Sequence, residues 1–133
     1  MTDIDLARRA VACRGWKWLP GVQAIDPTPN GLSPQRLGNQ FVEPADGCGW
    51  LPDLDDPATL GCLLALAREA WGHVGIWVEY TSDSSDGIPH WEISWGAWPM
   101  AGPRLPAAPP PGGWYNSEAE ALVATLEAAP VRP

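Results

Sequence analysis

The chain is short of positive charge. Eight Lys and Arg residues stand against sixteen Asp and Glu, for a net charge of −8 over 133 residues. Proteins that grip duplex nucleic acid lay a basic surface along the phosphates, so no duplex partner is expected. Long hydrophobic runs are missing too. The longest covers residues 60–67 and stops at Arg68, far below the ~20 residues that a membrane-spanning helix needs. The first residues include Asp3 and Asp5 and no apolar stretch. Neither a signal peptide nor a membrane partner is expected, and the cytoplasm is the expected compartment. Cysteine is scarce: Cys13, Cys48 and Cys62 are widely spaced and form no C-x-x-C. That excludes a zinc knuckle and a dithiol redox motif and predicts reduced, partly buried thiols.

Catalytic motifs are equally thin. The sequence has no G-x-x-x-x-G-K-[ST] phosphate loop, no H-E-x-x-H and no G-x-S-x-G. Gly47-Cys48-Gly49 opens like a dinucleotide-binding loop, but Pro52 takes the place of its last glycine. His90-Trp91-Glu92 matches half of a zinc deaminase signature whose P-C-x-x-C half is missing. With two histidines, His73 and His90, Cys48 beside one of them is the remaining route to a nucleophilic site. Asp53, Asp55 and Asp56 stand just before Pro57, where helix capping accounts for them better than a metal does. Asp83 and Asp86 belong to a solvated turn. No catalytic residue, metal or cofactor is expected.

What the chain has in plenty is tryptophan and turn-forming residues: nine Trp against one Phe and two Tyr, with sixteen Pro and fourteen Gly. A hydrophobic content of 45% with 18% charged residues argues for a folded chain. Its length suits a single domain over residues 1–133.

Local signals place the elements. Thr2 and Asp5 have the spacing of a capping box, predicting a helix over residues 4–13 that Gly15 stops. Trp16-Lys17-Trp18 alternates, so an extended segment sets two indoles on one side. Residues 22–25 and, more weakly, 36–43 read as strands, and residues 44–56 as a loop. Asp56 and Pro57 form a helix start, Leu60, Leu63, Leu64, Ala67 and Trp71 recur at helical spacing, and Gly72 ends the element. Residues 74–80 and 90–95 form an antiparallel hairpin, with Val74, Ile76, Val78 and Tyr80 on one face and Trp91, Ile93 and Trp95 on the matching one. Residues 99–113 hold six prolines and three glycines, a Pro-rich strap that is neither helix nor inner strand. Ser117 and Glu120 open a last helix that Pro130 ends. The expected fold class is α+β: a small antiparallel or mixed sheet covered by three helices, an αβα-type sandwich with a Pro-rich strap.

Three strings carry a resemblance: Leu6-Ala7-Arg8-Arg9-Ala10-Val11-Ala12 leading to Gly15-Trp16-Lys17-Trp18, the run from Leu51 through Pro57 to Leu63, and Glu118-Ala119-Glu120-Ala121-Leu122-Val123. Together they resemble the family described as the phage αβα-sandwich domain, across most of the chain except the Pro-rich stretch. The resemblance implies a sandwich fold and a phage accessory gene. It carries no catalytic residues with it.

Candidate binding residues follow from tryptophan and charge. Trp71, Trp77, Trp91 and Trp95 lie on elements with apolar periodicity and are expected in the core. Trp16, Trp18, Trp50, Trp98 and Trp114 flank Gly/Pro loops or edges, where an indole serves as a stacking platform or an interface anchor. Arg8, Arg9, Arg14 and Lys17 are half of the basic residues. Arg14 or Lys17 with Arg36 is expected to meet a small anionic ligand while Trp16 or Trp18 stacks on its flat part. Trp98 and Trp114 are expected at an interface of a homo-oligomer. The leading expectation is a non-enzymatic counter-defence protein that sequesters such a ligand, with a host nucleotide signal, cyclic or linear, as the example of the class. A protein-interaction module acting through an acidic, Trp-bearing surface is the alternative, and a small hydrolase is the third.

Overall fold

Three capped helices and two small antiparallel sheets make up an α+β fold, seen in a computed structural model that describes residues 3–28, 33–38, 49–72, 75–81, 89–95 and 115–129. The Pro-rich strap, Trp98, Trp114, Cys48 and His73 lie outside the described residues. The strands form two sheets rather than one. The first has the order β2-β1-β3 and the second is the expected hairpin, β4-β5.

Helix α1 (Ile4–Ala12) is capped by Asp3, whose carboxylate accepts from the Leu6 N–H at 3.0 Å. The cap lies one residue beyond the expected Thr2, and Leu6 at the third helical position offers no carboxylate in return, so the start is a simple cap and not a capping box. Leu6, Ala7 and Ala10 form its buried face.

The first sheet is short. β1 (Gln23–Ile25) pairs with β2 (Gln35–Arg36), Gln23 opposite Arg36, and with β3 (Leu51–Pro52), Ile25 opposite Leu51. β3 falls inside the expected loop. Two residues are too few to show periodicity, and Pro52 is tolerated because β3, among the described residues, is an edge strand that pairs only with β1.

Helix α2 (Pro57–Trp71) starts and ends as the sequence implies. The Asp56 carboxylate accepts from the Thr59 N–H at 2.9 Å, Pro57 occupies the first turn, and Gly72 closes the helix at φ 66°. The cap also holds a junction. Arg36 on β2 donates two hydrogen bonds to Asp56, both 2.8 Å, and one to the Gly21 carbonyl at 2.8 Å. The Thr59 hydroxyl donates to Asp56 and accepts from the Gln23 N–H on β1, each at 2.9 Å. Thr59 is fully buried, and these bonds satisfy it.

Helix α3 (Glu118–Glu127) is capped by Ser117, which accepts from the Glu120 N–H at 3.1 Å as expected. It, rather than α2, is the central element. Ala119, Ala121, Leu122, Val123, Thr125 and Leu126 are all buried, and the helix packs on α1, α2 and both strands of the hairpin. Trp71 Nε1 crosses from α2 to the Thr125 carbonyl at 2.8 Å. The hairpin pairs β4 (Ile76–Thr81) with β5 (His90–Trp95), Val78 opposite Ile93 and Tyr80 opposite Trp91. Ile76 is fully buried, Val78 and Ile93 pack on the core, and Tyr80 is 62% exposed, with its ring centroid 5.2 Å from that of Trp91. Trp91 exchanges backbone bonds with Tyr115 at 2.9 and 3.1 Å, tying β5 to the approach of α3.

The Arg36 guanidinium holds the Asp56 carboxyl well below the usual carboxylate range, with the Thr59 bonds adding to the effect. A carboxylate with a depressed folded pKa contributes stability that is complete above its unfolded pKa, about 3.9, and is lost as pH falls toward the folded value. Asp56→Ala is expected to cost about 1–2 kcal/mol near neutral pH from the cap alone. In urea titrations at several pH values, the gap between the two proteins should narrow below about pH 4.

Candidate functional site

The cations expected to hold a ligand lie at both ends of α2. Arg36 is engaged by Asp56 at the N-terminal end. Lys17 pairs with Glu69 near the C-terminal end. Thirteen residues separate Asp56 from Glu69, which is roughly 20 Å along a helix axis. One small ligand cannot use both, so Arg36 does not belong with Arg14 and Lys17, and its role is to join β2 to the cap of α2.

Arg14 and Lys17 do come together. They line a groove of about 860 Å³ where the C-terminal ends of α1, α2 and α3 converge. Gly15, Ala70 and Leu126 supply its apolar wall, and Arg9, Glu69 and Glu127 its charged rim. Arg9 makes two hydrogen bonds to Glu127, at 2.6 and 3.2 Å, which raise the Arg9 pKa above its ordinary value. No carboxylate lies within ion-pair distance of Arg14 among the described residues. Three cations against two carboxylates leave the rim with one net positive charge. Both ion pairs are solvent-exposed, and such pairs are worth about 0–1 kcal/mol.

The stacking half of the expected site is placed differently. Trp16 and Trp18 meet edge to face, with ring centroids 5.2 Å apart and planes at 85°, so the alternation does set both indoles on one side. Neither lines the groove. Trp16 packs on the hydrophobic core, and its Nε1 is buried with no hydrogen-bond partner among the described residues. Of the tryptophans expected in the core, Trp71 is buried and Trp91 half-buried, but Trp77 is 38% exposed. Strand alternation holds the signal: Trp77 stands out of phase with Ile76 and Val78. Trp50, expected at a loop surface, is buried.

The participation of Arg9 was not legible. Its partner, Glu127, is 118 residues away, and no local pattern links them.

A second cavity, of about 600 Å³, opens beside the N-terminal ends of α1 and α3. Asp3, Asp55, Glu118 and Glu120 edge it with Arg9, and Leu6, Leu54 and Trp91 line it. Acidic groups here complement the positive ends of the helix dipoles. Among the described residues no His, Cys, Asp or Glu cluster has the arrangement of a metal site. Burial pushes the Cys13 and Cys62 thiols up, so neither is the activated thiolate that a cysteine nucleophile requires. His90 is buried and lies 2.6 Å from Glu92, which is partly exposed. No helix of the described residues is long and apolar enough to cross a membrane.

Comparison with known proteins adds no relative. No protein-family model, curated protein or solved structure matches the chain. The site therefore stands on its own geometry.

Gly15 shapes the groove wall by what it omits. A Cβ there would sit 2.9 Å from Leu126 Cδ1 and 3.2 Å from the Ala70 Cβ. The end of Leu126 can turn only toward the groove, and the Ala70 Cβ is fixed to α2 and cannot give way unless the helix moves. Gly15→Val is expected to destabilise the fold by about 1–3 kcal/mol through overpacking. Chemical denaturation checks this, and an unchanged midpoint would contradict the close approach of the three elements.

Proposed function

We propose that the chain is a non-enzymatic binding protein that takes a small anionic ligand of nucleotide class in the groove between the C-terminal ends of α1, α2 and α3. One observation carries this reading: Arg9, Arg14 and Lys17, three of the eight basic residues of a chain with net charge −8, line one groove beside an apolar wall. Two or three phosphate charges compete well for such a rim. Arg14 is available, and drawing Lys17 from Glu69 costs about 1 kcal/mol or less. A forked guanidinium binds a phosphate by two parallel bonds, so Arg14 is the orienting group and Lys17 the adaptable one. The flat part of the ligand then rests on Ala70 and Leu126, the part expected of Trp16 or Trp18. If the gene is the phage accessory gene that the resemblance implies, sequestering a host nucleotide signal is the role this chemistry fits. The acidic net charge and the exposed Trp77 and Tyr80 favour a second reading, a module that binds a host protein.

Native mass spectrometry with a pool of cyclic and linear nucleotides tests the proposal. An intact nucleotide, bound and released unchanged on denaturation, is the expected result. Arg14→Ala and Lys17→Ala should each weaken binding roughly tenfold, the worth of one charge-assisted bond. Added salt should weaken it as well. Undiminished affinity in the double variant would remove the groove as the site, and release of an altered nucleotide would make the protein an enzyme.

A further inference from the structure

The two ion pairs on the rim of the groove are built differently. Arg9 grips Glu127 as a fork: Nη2 donates to Oε1 at 2.6 Å and Nε to Oε2 at 3.2 Å, so both carboxylate oxygens are taken. Lys17 meets Glu69 through one oxygen only, its Nζ donating to Oε1. Among the described residues, nothing donates to Glu69 Oε2. Glu69 is also the more open of the two carboxylates, its side chain 60% exposed against 39% for Glu127. Its backbone is held firmly in the last turn of α2, where its carbonyl accepts from the Gly72 N–H at 3.1 Å.

Hydrogen-bond chemistry decides what such a carboxylate selects. A phosphate on Arg14 draws Lys17 from Glu69, and the flexible stem of lysine lets the ammonium follow. Both oxygens of Glu69 are then open to the rest of the ligand. Ala70, the next residue of α2, belongs to the apolar wall and lines the same groove, so a ring resting on that wall has Glu69 at its edge. An ionised carboxylate only accepts, and two parallel N–H donors satisfy it. The bases differ in offering them along the edges that proteins read. Guanine carries its N1–H and an N2 amino hydrogen side by side. Hypoxanthine has the N1–H alone. Adenine and cytosine set one amino hydrogen beside a bare ring nitrogen, whose lone pair repels the second oxygen, and uracil flanks its one N–H with two carbonyls.

Resting on the nucleotide reading of this groove, we infer that its ligand is a guanine nucleotide and that Glu69 is the residue that reads the base. Arg14 and Lys17 hold the phosphate, Ala70 and Leu126 carry the purine face, and the Glu69 carboxylate accepts from N1–H and N2–H. Arg9 and Glu127, each already satisfied by the other, tie α1 to α3 and take no part in base selection.

Isothermal titration calorimetry with GMP, IMP and AMP tests the assignment, because the three share a phosphate and differ at the base edge. GMP should bind roughly tenfold more tightly than IMP, the worth of one charge-assisted bond, and AMP more weakly than either. Glu69→Gln presents a carboxamide, whose oxygen accepts from the adenine amino group while its N–H donates to adenine N1, so AMP should become the favoured ligand. Glu69→Ala should bind all three alike, since Arg14 and Lys17 still hold the phosphate. Equal affinity of the wild-type chain for the three overturns the inference and leaves the groove a nucleotide site. Binding of none of them overturns it too, and the mass measurement with the full nucleotide pool then judges the underlying reading separately. A guanine preference that survives in Glu69→Gln, or loss of all three ligands in both variants, removes Glu69 from base recognition.

Discussion

The fold turns on one carboxylate. Asp56 caps α2, fixes the Thr59 hydroxyl and receives the guanidinium of Arg36. Through Thr59 it reaches β1 and through Arg36 it reaches β2, so a single side chain sets the angle at which the first sheet meets the longest helix. The order of events in the sequence makes this possible. Asp56 follows β3 by four residues, and the intervening turn, with Asp53 Oδ1 accepting from the Asp55 N–H at 3.0 Å, delivers the cap to the sheet edge. A position where one ionised group serves a helix end, a buried hydroxyl and a cation at once tolerates few replacements. Asparagine would retain part of the cap but could not bind the guanidinium as a charge partner.

Around that junction the core is organised by a helix with hardly any solvent face. α3 is buried on most sides, and its small residues, Ala119 and Ala121, let neighbours approach closely. Trp71 lies against it with its one polar atom bonded to a helix carbonyl, so the large ring is buried without an orphaned donor. The groove exists because these helices end together. Their C-terminal turns attract cations through the dipole, and Arg9, Arg14 and Lys17 answer to that as well as to Glu69 and Glu127. Helix electrostatics thus assembles a cationic rim on an acidic protein without any dedicated motif.

Elements with strong local chemistry were legible from the sequence. Asp56-Pro57 with Gly72, and Ser117 with Glu120, state where their helices begin or end, because caps are decided within four or five residues. The paired β-rich runs announce the hairpin but not its bounds, since β4 runs Ile76–Thr81 where residues 74–80 were expected. β3 was not, since two residues beside a proline have no period to read. The candidate site was half legible. The closeness of Arg14 and Lys17 follows from the chain itself, but the engagement of Arg36 by Asp56 depends on a pairing across 20 residues, and that of Arg9 by Glu127 on one across 118. Tryptophan was read by residue type where phase was the better guide: Trp77 is out of step with its buried neighbours, whereas Trp50 enters the core beside β3, a strand that the sequence does not announce.

The distance in sequence between α1 and α3 has a kinetic meaning. The two helices share one core cluster, and Arg9 grips Glu127 across the molecule, yet nearly the whole chain lies between them. During synthesis, the apolar faces of α1 and α2 emerge long before the helix that covers them. Their burial is complete only when Leu122 and Leu126 have been added. Closing this core means bringing α3 back to α1 across more than a hundred residues, a long-range loop closure that slows folding more than the formation of its helices does.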